Sequence, residues 1–363
     1  MIKKKKVLVG MSGGVDSSVA AFLLLKQGYE VIGGFMKNWS DGDDTSECSW
    51  RAERRDAMRV AAKLNIPFYT FDFETDYRAS VYEYMIREYE AGRTPNPDVL
   101  CNKYMKFGLF LKKADELGCD FIATGHYARI KRDAQGAHLF AGIDNSKDQS
   151  YFLCRLKQNQ LTRSLFPVGE LRKSEVRELA KKAELHVADK KDSQGICFVG
   201  KVALDTFLKK RIVPKRGDII DKNGNKLGEH EGHMYYTIGQ RHGLGLAGGP
   251  WYVAERRPQT NELVVVSADD PMLYSKSLLA VDIVETITGN LQRFIGRKIK
   301  ARIRYRQPLQ DCKIESWNDD QIIVVFKDPQ KAVAPGQFIA FYHKDELLGS
   351  AVIQKSDHLD RFE

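Results

Sequence analysis

The chain has 363 residues, too many for one compact core and enough for two or three domains. Its 43% hydrophobic and 29% charged content is that of a soluble globular protein, and no apolar run approaches the roughly 20 residues that span a bilayer. The net charge of +9 points to a polyanionic partner, while six cysteines without a C-x-x-C pair argue against a structural zinc or iron–sulfur site and against a disulfide framework. The basic start, Met1 to Lys6, runs into a strand at Val7. That leaves no room for a signal or transit segment, so the cytoplasm is the expectation.

The first strand, Lys6–Val9, ends in Gly10-Met11-Ser12-Gly13-Gly14-Val15-Asp16-Ser17-Ser18, and an apolar helix follows. Glycine lets backbone N–H groups close around an anion, and the helix N-terminus adds its positive dipole end. The turn reads as a phosphate cradle without the Gly-Lys-Ser/Thr ending of a Walker A loop. It resembles the S-G-G-x-D-S loop of the PP-loop ATP pyrophosphatases, which hold the β,γ-pyrophosphate of ATP. Further strands are expected at Val31–Phe35, Pro67–Phe73 and Asp120–Thr124, with helices at Ser17–Gln27, Arg51–Leu64, Tyr77–Glu90 and Asn102–Leu117. This alternation predicts a parallel α/β sheet with ligands at the carboxyl ends of its strands. More helical material follows, including Gly169–Ala183.

After about Leu208 the texture changes to dense Gly, Pro and turn dipeptides. Asp221–Asn225 reads as a hairpin turn rather than a calcium loop, and Glu229–His233 lacks the histidine spacing of a zinc helix. From about Ser277 the chain is strand-like: Leu279–Val284, Lys298–Tyr305, Lys313–Trp317, Ile322–Phe326, Gln337–Tyr342 and Gly349–Ile353. A small antiparallel barrel fits that spacing. In a strand, Lys298, Lys300, Arg302, Arg304 and Arg306 would share one face, which suits a phosphate backbone or, alternatively, a charged edge.

Two segments carry candidate thiol chemistry. In Thr94-Pro95-Asn96-Pro97-Asp98-Val99-Leu100-Cys101-Asn102 the prolines stiffen a loop, and Asn102 or a neighbour is expected to cap a helix from Lys103. A thiol at such a terminus, beside Lys103, has its thiolate favoured, and Asp98 is placed to act as a nearby base or to orient the target. A buried cysteine at a capped helix start is the competing reading. Cys197 follows a polar, Gly-containing loop with Lys190 and Lys191 upstream. One activated thiol and one resolving thiol are the minimum apparatus for sulfur transfer. Cys48, Cys119, Cys154 and Cys312 receive no catalytic role.

The S-G-G-V-D-S-S loop, T-P-N-P-D-x-x-C-N, A-T-G-H-Y, K-D-Q-S-Y-F, F-P-V-G, D-S-x-G-I-C-F, G-E-H-x-G, Y-T-x-G-Q-R, R-Y-R-Q and P-G-Q occur in that order. Over essentially its full length the chain resembles the bacterial tRNA-specific 2-thiouridylase family. The resemblance implies a Rossmann-like PP-loop catalytic domain over residues 1–207, a small β-rich adaptor over 208–276, and a C-terminal β-barrel that binds tRNA over 277–363. It implies that Gly10, Met11, Ser12, Gly13, Gly14, Val15, Asp16 and Ser17 hold ATP, with Met36 and Gly125 beside them. It assigns the target base to Asn96, Pro97 and Asp98. It makes Cys101 the nucleophile and Cys197 the persulfide carrier, joined in a transient disulfide. It gives His126, Lys147, Asp148, Gln149, Arg304, Tyr305 and Gln337 to tRNA. ATP and Mg²⁺ are the implied cofactors, with Asp16 a water-mediated metal ligand, and a cysteine desulfurase or sulfur-relay protein is the implied sulfur donor. A different PP-loop adenylating enzyme and a non-enzymatic tRNA-binding protein are the alternatives.

Overall fold

The computed structural model describes residues 4–40, 49–192, 208–209 and 211–357. Its first body is a parallel sheet of β1 (Lys6–Gly10), β2 (Glu30–Lys37), β3 (Phe68–Asp72), β4 (Phe121–Ala123) and β7 (Ser164–Leu165), in the order β3-β2-β1-β4-β7. Val7, Leu8 and Val9 are fully buried, so β1 is covered on both faces, as a near-continuous apolar run demands. Val7 and Val9 face the helices Val15–Lys26 and Lys173–Lys182, with Val19, Ala20, Val176 and Ala180 in contact. Leu8 faces the helical stretches 74–90 and 97–116, with Tyr77, Met85 and Phe110. The strand order reverses between β1 and β4. Ligands of open α/β sheets bind at such a reversal.

Between β4 and β7 the structure departs from the sequence reading. Residues 128–141 form a hairpin of β5 (Ala128–Asp133) and β6 (Gly136–Ala141) that leaves the parallel sheet. β6 pairs with β17 (Glu346–Ser356), matching Leu139 with Leu347. The central body is a sheet of β8 (Gly217–Ile220), β9 (Lys226–His230), β10 (Tyr252–Arg257) and β11 (Glu262–Val266), around Ile219, Val253, Leu263 and Val265. The turn joining β8 to β9 is the expected one, with Asp221 accepting from the Asn223 and Asn225 amides.

The third body is a closed antiparallel barrel. β12 (Tyr274–Glu285), β15 (Gln321–Lys331), β14 (Gln310–Asn318), β13 (Lys298–Arg302), β16 (Phe338–His343) and β17 pair in that order, and β17 returns to β12. Closure removes the exposed edges that a strand-only domain would otherwise present. β12 begins at Tyr274, ahead of the boundary expected at 277. Among the described residues, no helix is long and apolar enough to cross a membrane.

The expected five-cation stripe is corrected here. The strand stops at Arg302, Ile303 is buried, and Arg306 has φ +64°, so the alternation ends. Nor is it an edge, because β13 lies between β14 and β16. Lys298 and Lys300 remain exposed, but Arg302 is buried and ion-paired with Asp148 at 3.0 Å. Asp148 belongs to a largely buried strap along residues 148–156 that docks the barrel on the parallel sheet. Tyr151 donates to the Phe338 carbonyl at 3.0 Å, Ser350 to the Cys154 carbonyl at 2.7 Å, and Arg155 pairs with Asp282 at 2.6 Å.

Removing one partner of a buried ion pair leaves the other charge uncompensated, at a cost of about 3 to 5 kcal/mol. Arg302→Met is therefore expected to lower the thermal midpoint sharply, and Arg302→Met with Asp148→Asn to recover part of the loss. A single variant that melts with the wild type would remove this pair from the docking of the barrel.

Candidate active site

The Gly-rich turn has the geometry of an anion cradle. Gly13 sits at φ +73°, and a Cβ there would lie 2.2 Å from the Glu53 carbonyl oxygen, so only glycine fits. Gly14 precedes the helix in an extended conformation, and no side chain caps that helix. Its first-turn N–H groups therefore face the turn unpaired by a cap. Ser17 Oγ accepts from the Ser12 amide at 3.2 Å and lies 3.3 Å from Ser12 Oγ, which holds the turn closed. A Cβ on Gly125 would meet the Ser17 amide at 2.6 Å, so the end of β4 lies directly against the helix start. The residues present fit a phosphate chain. The Met11 side chain does not line the cradle: it is buried, with its sulfur against Gly33. The Met36 methyl lies beside Gly10.

The first-turn carboxylate is engaged by residues outside the motif. Asp16 accepts from the Tyr127 hydroxyl at 2.8 Å and from the Lys173 ammonium, through both its oxygens, at 2.8 Å. Lys173 also reaches Asp192 at 2.7 Å, and Lys147 and Arg177 pair with the same carboxylate at 2.8 and 3.2 Å. Burial pushes the Asp192 carboxyl up, but the hydrogen bonds from Lys147 and Lys173 outweigh it and hold the carboxyl below its usual range. Cys197 and residues 193–207 around it lie outside the described residues.

The Cys101 segment folds differently from the expectation. The helix starts at Pro97, and Asn96 caps it by accepting from the Val99 amide at 3.3 Å. Proline at the first helical position and asparagine before it are the favoured choices. Asn102 is thus inside the helix, where it donates to the Phe152 carbonyl at 3.0 Å, and Cys101 sits a full turn from the terminus, buried. The helix widens to π geometry over Cys101–Leu109, and Gln160 donates to the Lys103 and Phe107 carbonyls at 3.0 and 2.8 Å. Wide turns of this kind leave carbonyls that need an outside donor, and they occur mainly at functional sites. Burial raises the Asp98 carboxyl against the pull of Lys106. Burial likewise drives the His126 imidazole well below its usual range, helped by Lys106, so it is neutral. Thr124 and the Phe107 and Phe166 rings enclose it.

The loop before Cys101 is held from two sides. From the barrel, the Gln337 amide donates to the Thr94 and Pro95 carbonyls at 3.0 and 3.1 Å and accepts from Asn96 at 3.4 Å, while the Thr94 amide reaches the Pro335 carbonyl at 2.8 Å. From the central sheet, Arg256 donates to Thr94 Oγ1 at 3.2 Å and to the Tyr236 carbonyl at 2.8 Å. Arg256 is 8% exposed, its Nε has no partner, and burial pulls its guanidinium down to about 10. The structure thus turns the Gln337 side chain toward the loop, and the Asp148 side chain toward Arg302, rather than toward solvent. Lys147 and Gln149 stay half-buried, Gln149 accepting from the Tyr127 amide at 3.0 Å. Arg304 is exposed, and Tyr305 packs against Phe152 with centroids 4.3 Å apart and the rings tilted by 43°. Tyr127, Lys173, Asp192 and Arg256 have no role in the sequence reading, and Lys190 figures there only as a charge upstream of Cys197. Only Tyr127 and Asp192 lie within recognisable motifs.

Three family models match the chain consecutively: the tRNA methyl transferase HUP domain over residues 5–201, the tRNA methyl transferase PRC-barrel domain over 205–267, and the aminomethyltransferase beta-barrel domain over 290–353. A tRNA-specific 2-thiouridylase MnmA from Hydrogenovibrio crunogenus is 47% identical over 361 residues, covering 97% of this chain and 95% of that one. The protein of that name from Bacillus velezensis is 46% identical over 353 residues, covering 96% and 94%. Among solved structures, an NMN synthetase from Francisella tularensis aligns with 53% of this chain and 67% of its own at 20% identity and a TM-score of 0.32. Near-complete coverage at close to half identity, on top of the three consecutive domain matches, makes this chain a member of the tRNA-specific 2-thiouridylase family.

Proposed function

We propose that the protein carries out ATP-dependent 2-thiolation of the wobble uridine in the lysine, glutamate and glutamine tRNAs. The observation that carries this reading is the juncture of cradle and thiol helix. Gly10 and Gly34 pack on Phe110, which lies on the helix that carries Asp98 and Cys101, and Lys106 of that helix acts on both Asp98 and His126. A nucleotide in the cradle and a base at Asn96–Asp98 would then meet at one end of the sheet. The relatives' name supports the same chemistry.

Uracil's 2-oxo group is a poor leaving group. Adenylating it releases pyrophosphate and accounts for a cradle fitted to phosphates. Mg²⁺ would neutralise phosphate charge beside Asp16. The target base would leave the anticodon-loop stack to reach the site, which costs least in a single-stranded loop. Cys197 would carry sulfur as a persulfide from a cysteine desulfurase or relay protein. The outer persulfide sulfur attacks C2 and expels AMP, and the Cys101 thiolate then attacks Cys197 Sγ and releases the 2-thio sulfur; or the Cys101 thiolate attacks Cys197 Sγ first, and the hydrosulfide it frees attacks C2 and expels AMP. Either route leaves a Cys101–Cys197 disulfide for a reductant to reset. Asp98, with its raised carboxyl, would exchange a proton with the base or position it.

Nucleoside mass spectrometry of tRNA incubated with ATP, Mg²⁺ and a persulfide donor is expected to show 2-thiouridine, with pyrophosphate release that requires tRNA. A methylated nucleoside, or pyrophosphate release without tRNA, would replace this reading with another.

With labelled persulfide donor, Cys197→Ser is expected to retain no label. Cys101→Ser is expected to retain it and yet leave tRNA unmodified. Thiolation at the wild-type rate by Cys101→Ser would return Cys101 to a structural role.

Arg256 acts on the target-base loop only through Thr94, as a positioning residue. Arg256→Met is expected to lower kcat about tenfold and to leave the KM for ATP and the Kd for tRNA within about twofold, since small misplacements of reacting groups cost rate before affinity. Arg256→Lys should recover part of kcat. A proportional loss of tRNA affinity would instead make Arg256 a binding residue.

A further inference from the structure

We propose that Lys173 and Lys190, both outside the Gly-rich motif, are the phosphate-binding cations of the cradle. The inference rests on the nucleotide reading above and adds two residues to it.

Lys173 enters from the first turn of the Lys173–Lys182 helix and is 12% exposed. Its ammonium makes three charge-assisted contacts: two with Asp16, in the first turn of the cradle helix, and one with Asp192. Lys190 comes from the other side. Its ammonium donates to the carbonyl of Gly13, at the centre of the cradle, at 3.0 Å and to Asp56 at 2.6 Å. Burial pushes the Asp56 carboxyl up, and the Lys190 and His186 hydrogen bonds more than reverse it. One ammonium therefore lies on each flank of a turn whose backbone donors suit an anion.

Their partners make them more than surface pairs. Lys147, Lys173, Arg177 and Lys190 pair with Asp16, Asp56 and Asp192, His186 adds a titratable group at Asp56, and the Glu53 and Asp144 carboxyls lie near enough to act on Lys190 and Lys147. Cations and carboxylates are thus interleaved beside an open anion cradle. A triphosphate placed there lies against Asp16, and that repulsion must be offset by a cation within reach. Lys173 and Lys190 already touch cradle atoms. They can take phosphate oxygens in exchange for, or shared with, their present carboxylates, and such bonds are among the stronger ones in proteins.

Titration calorimetry with ATP and with AMP in metal-free buffer separates this role from a structural one. Lys173→Met and Lys190→Met are each expected to weaken ATP at least about tenfold and to leave AMP within about twofold, because AMP lacks the β,γ-phosphates. Loss of both ligands together would mark a collapsed site and overturn the assignment. Asp16→Asn with Lys173→Met removes the carboxylate that Lys173 neutralises. If Lys173 binds phosphate, this double variant stays weak for ATP. If it recovers wild-type affinity, Lys173 is only the counter-ion of Asp16. Wild-type ATP affinity in both single variants would remove the lysines alone. No ATP binding by the wild type would remove the nucleotide reading itself.

Discussion

The site depends on the double grip on Thr94 and Pro95. A stiff, proline-bearing loop has few ways to hold itself in place, because its carbonyls face outward and its prolines donate nothing. Here Gln337 from the barrel supplies the missing partners of the carbonyls, and Arg256 from the central sheet holds the Thr94 hydroxyl. Asn96 caps the thiol helix from the end of that loop. The direction of the helix, and with it Asp98 and Cys101, is therefore fixed by bodies remote in sequence. The accessory domains therefore shape the candidate site itself.

Electrostatics follows a similar division of labour. Where the barrel docks, a buried pair such as Arg302 with Asp148 joins two bodies through matched charges. Beside the cradle the charges are shared and unevenly matched, with Asp192 held by three cations. A matched pair fixes a docking geometry. A cluster of shared pairs can exchange partners when another anion arrives.

Much of this was legible in the sequence wherever local backbone chemistry decides the outcome. The cradle was readable because Gly13 must adopt positive φ against Glu53. β1, β2 and β4 were readable because burial on both faces needs apolar runs, whereas β3 is an edge strand that stays largely exposed. The barrel strands were readable from alternation, yet alternation could not say which face neighbouring chain would cover. That is why Arg302 looked like the middle of a basic stripe and proves to be buried under the strap. The β5–β6 hairpin was missed because its pairing partner, β17, lies at the far end of the chain. The cap at Asn96 was missed because Asn102 offers the same chemistry six positions later, although Pro97 at the first helical position favours Asn96.

The π-helical stretch over Cys101–Leu109 sets an angle as well as a hydrogen-bond pattern. Each residue of an α-helix turns the chain by about 100°, so a wide stretch changes the bearing of everything before it relative to everything after it. Phe110 is fixed after the stretch by its packing on Gly34, and Cys101 stands at its beginning. The compass bearing of the thiol about its own helix is thus an accumulated rotation. Gln160, whose side chain occupies the Lys103 and Phe107 carbonyls from another part of the chain, holds that rotation in place.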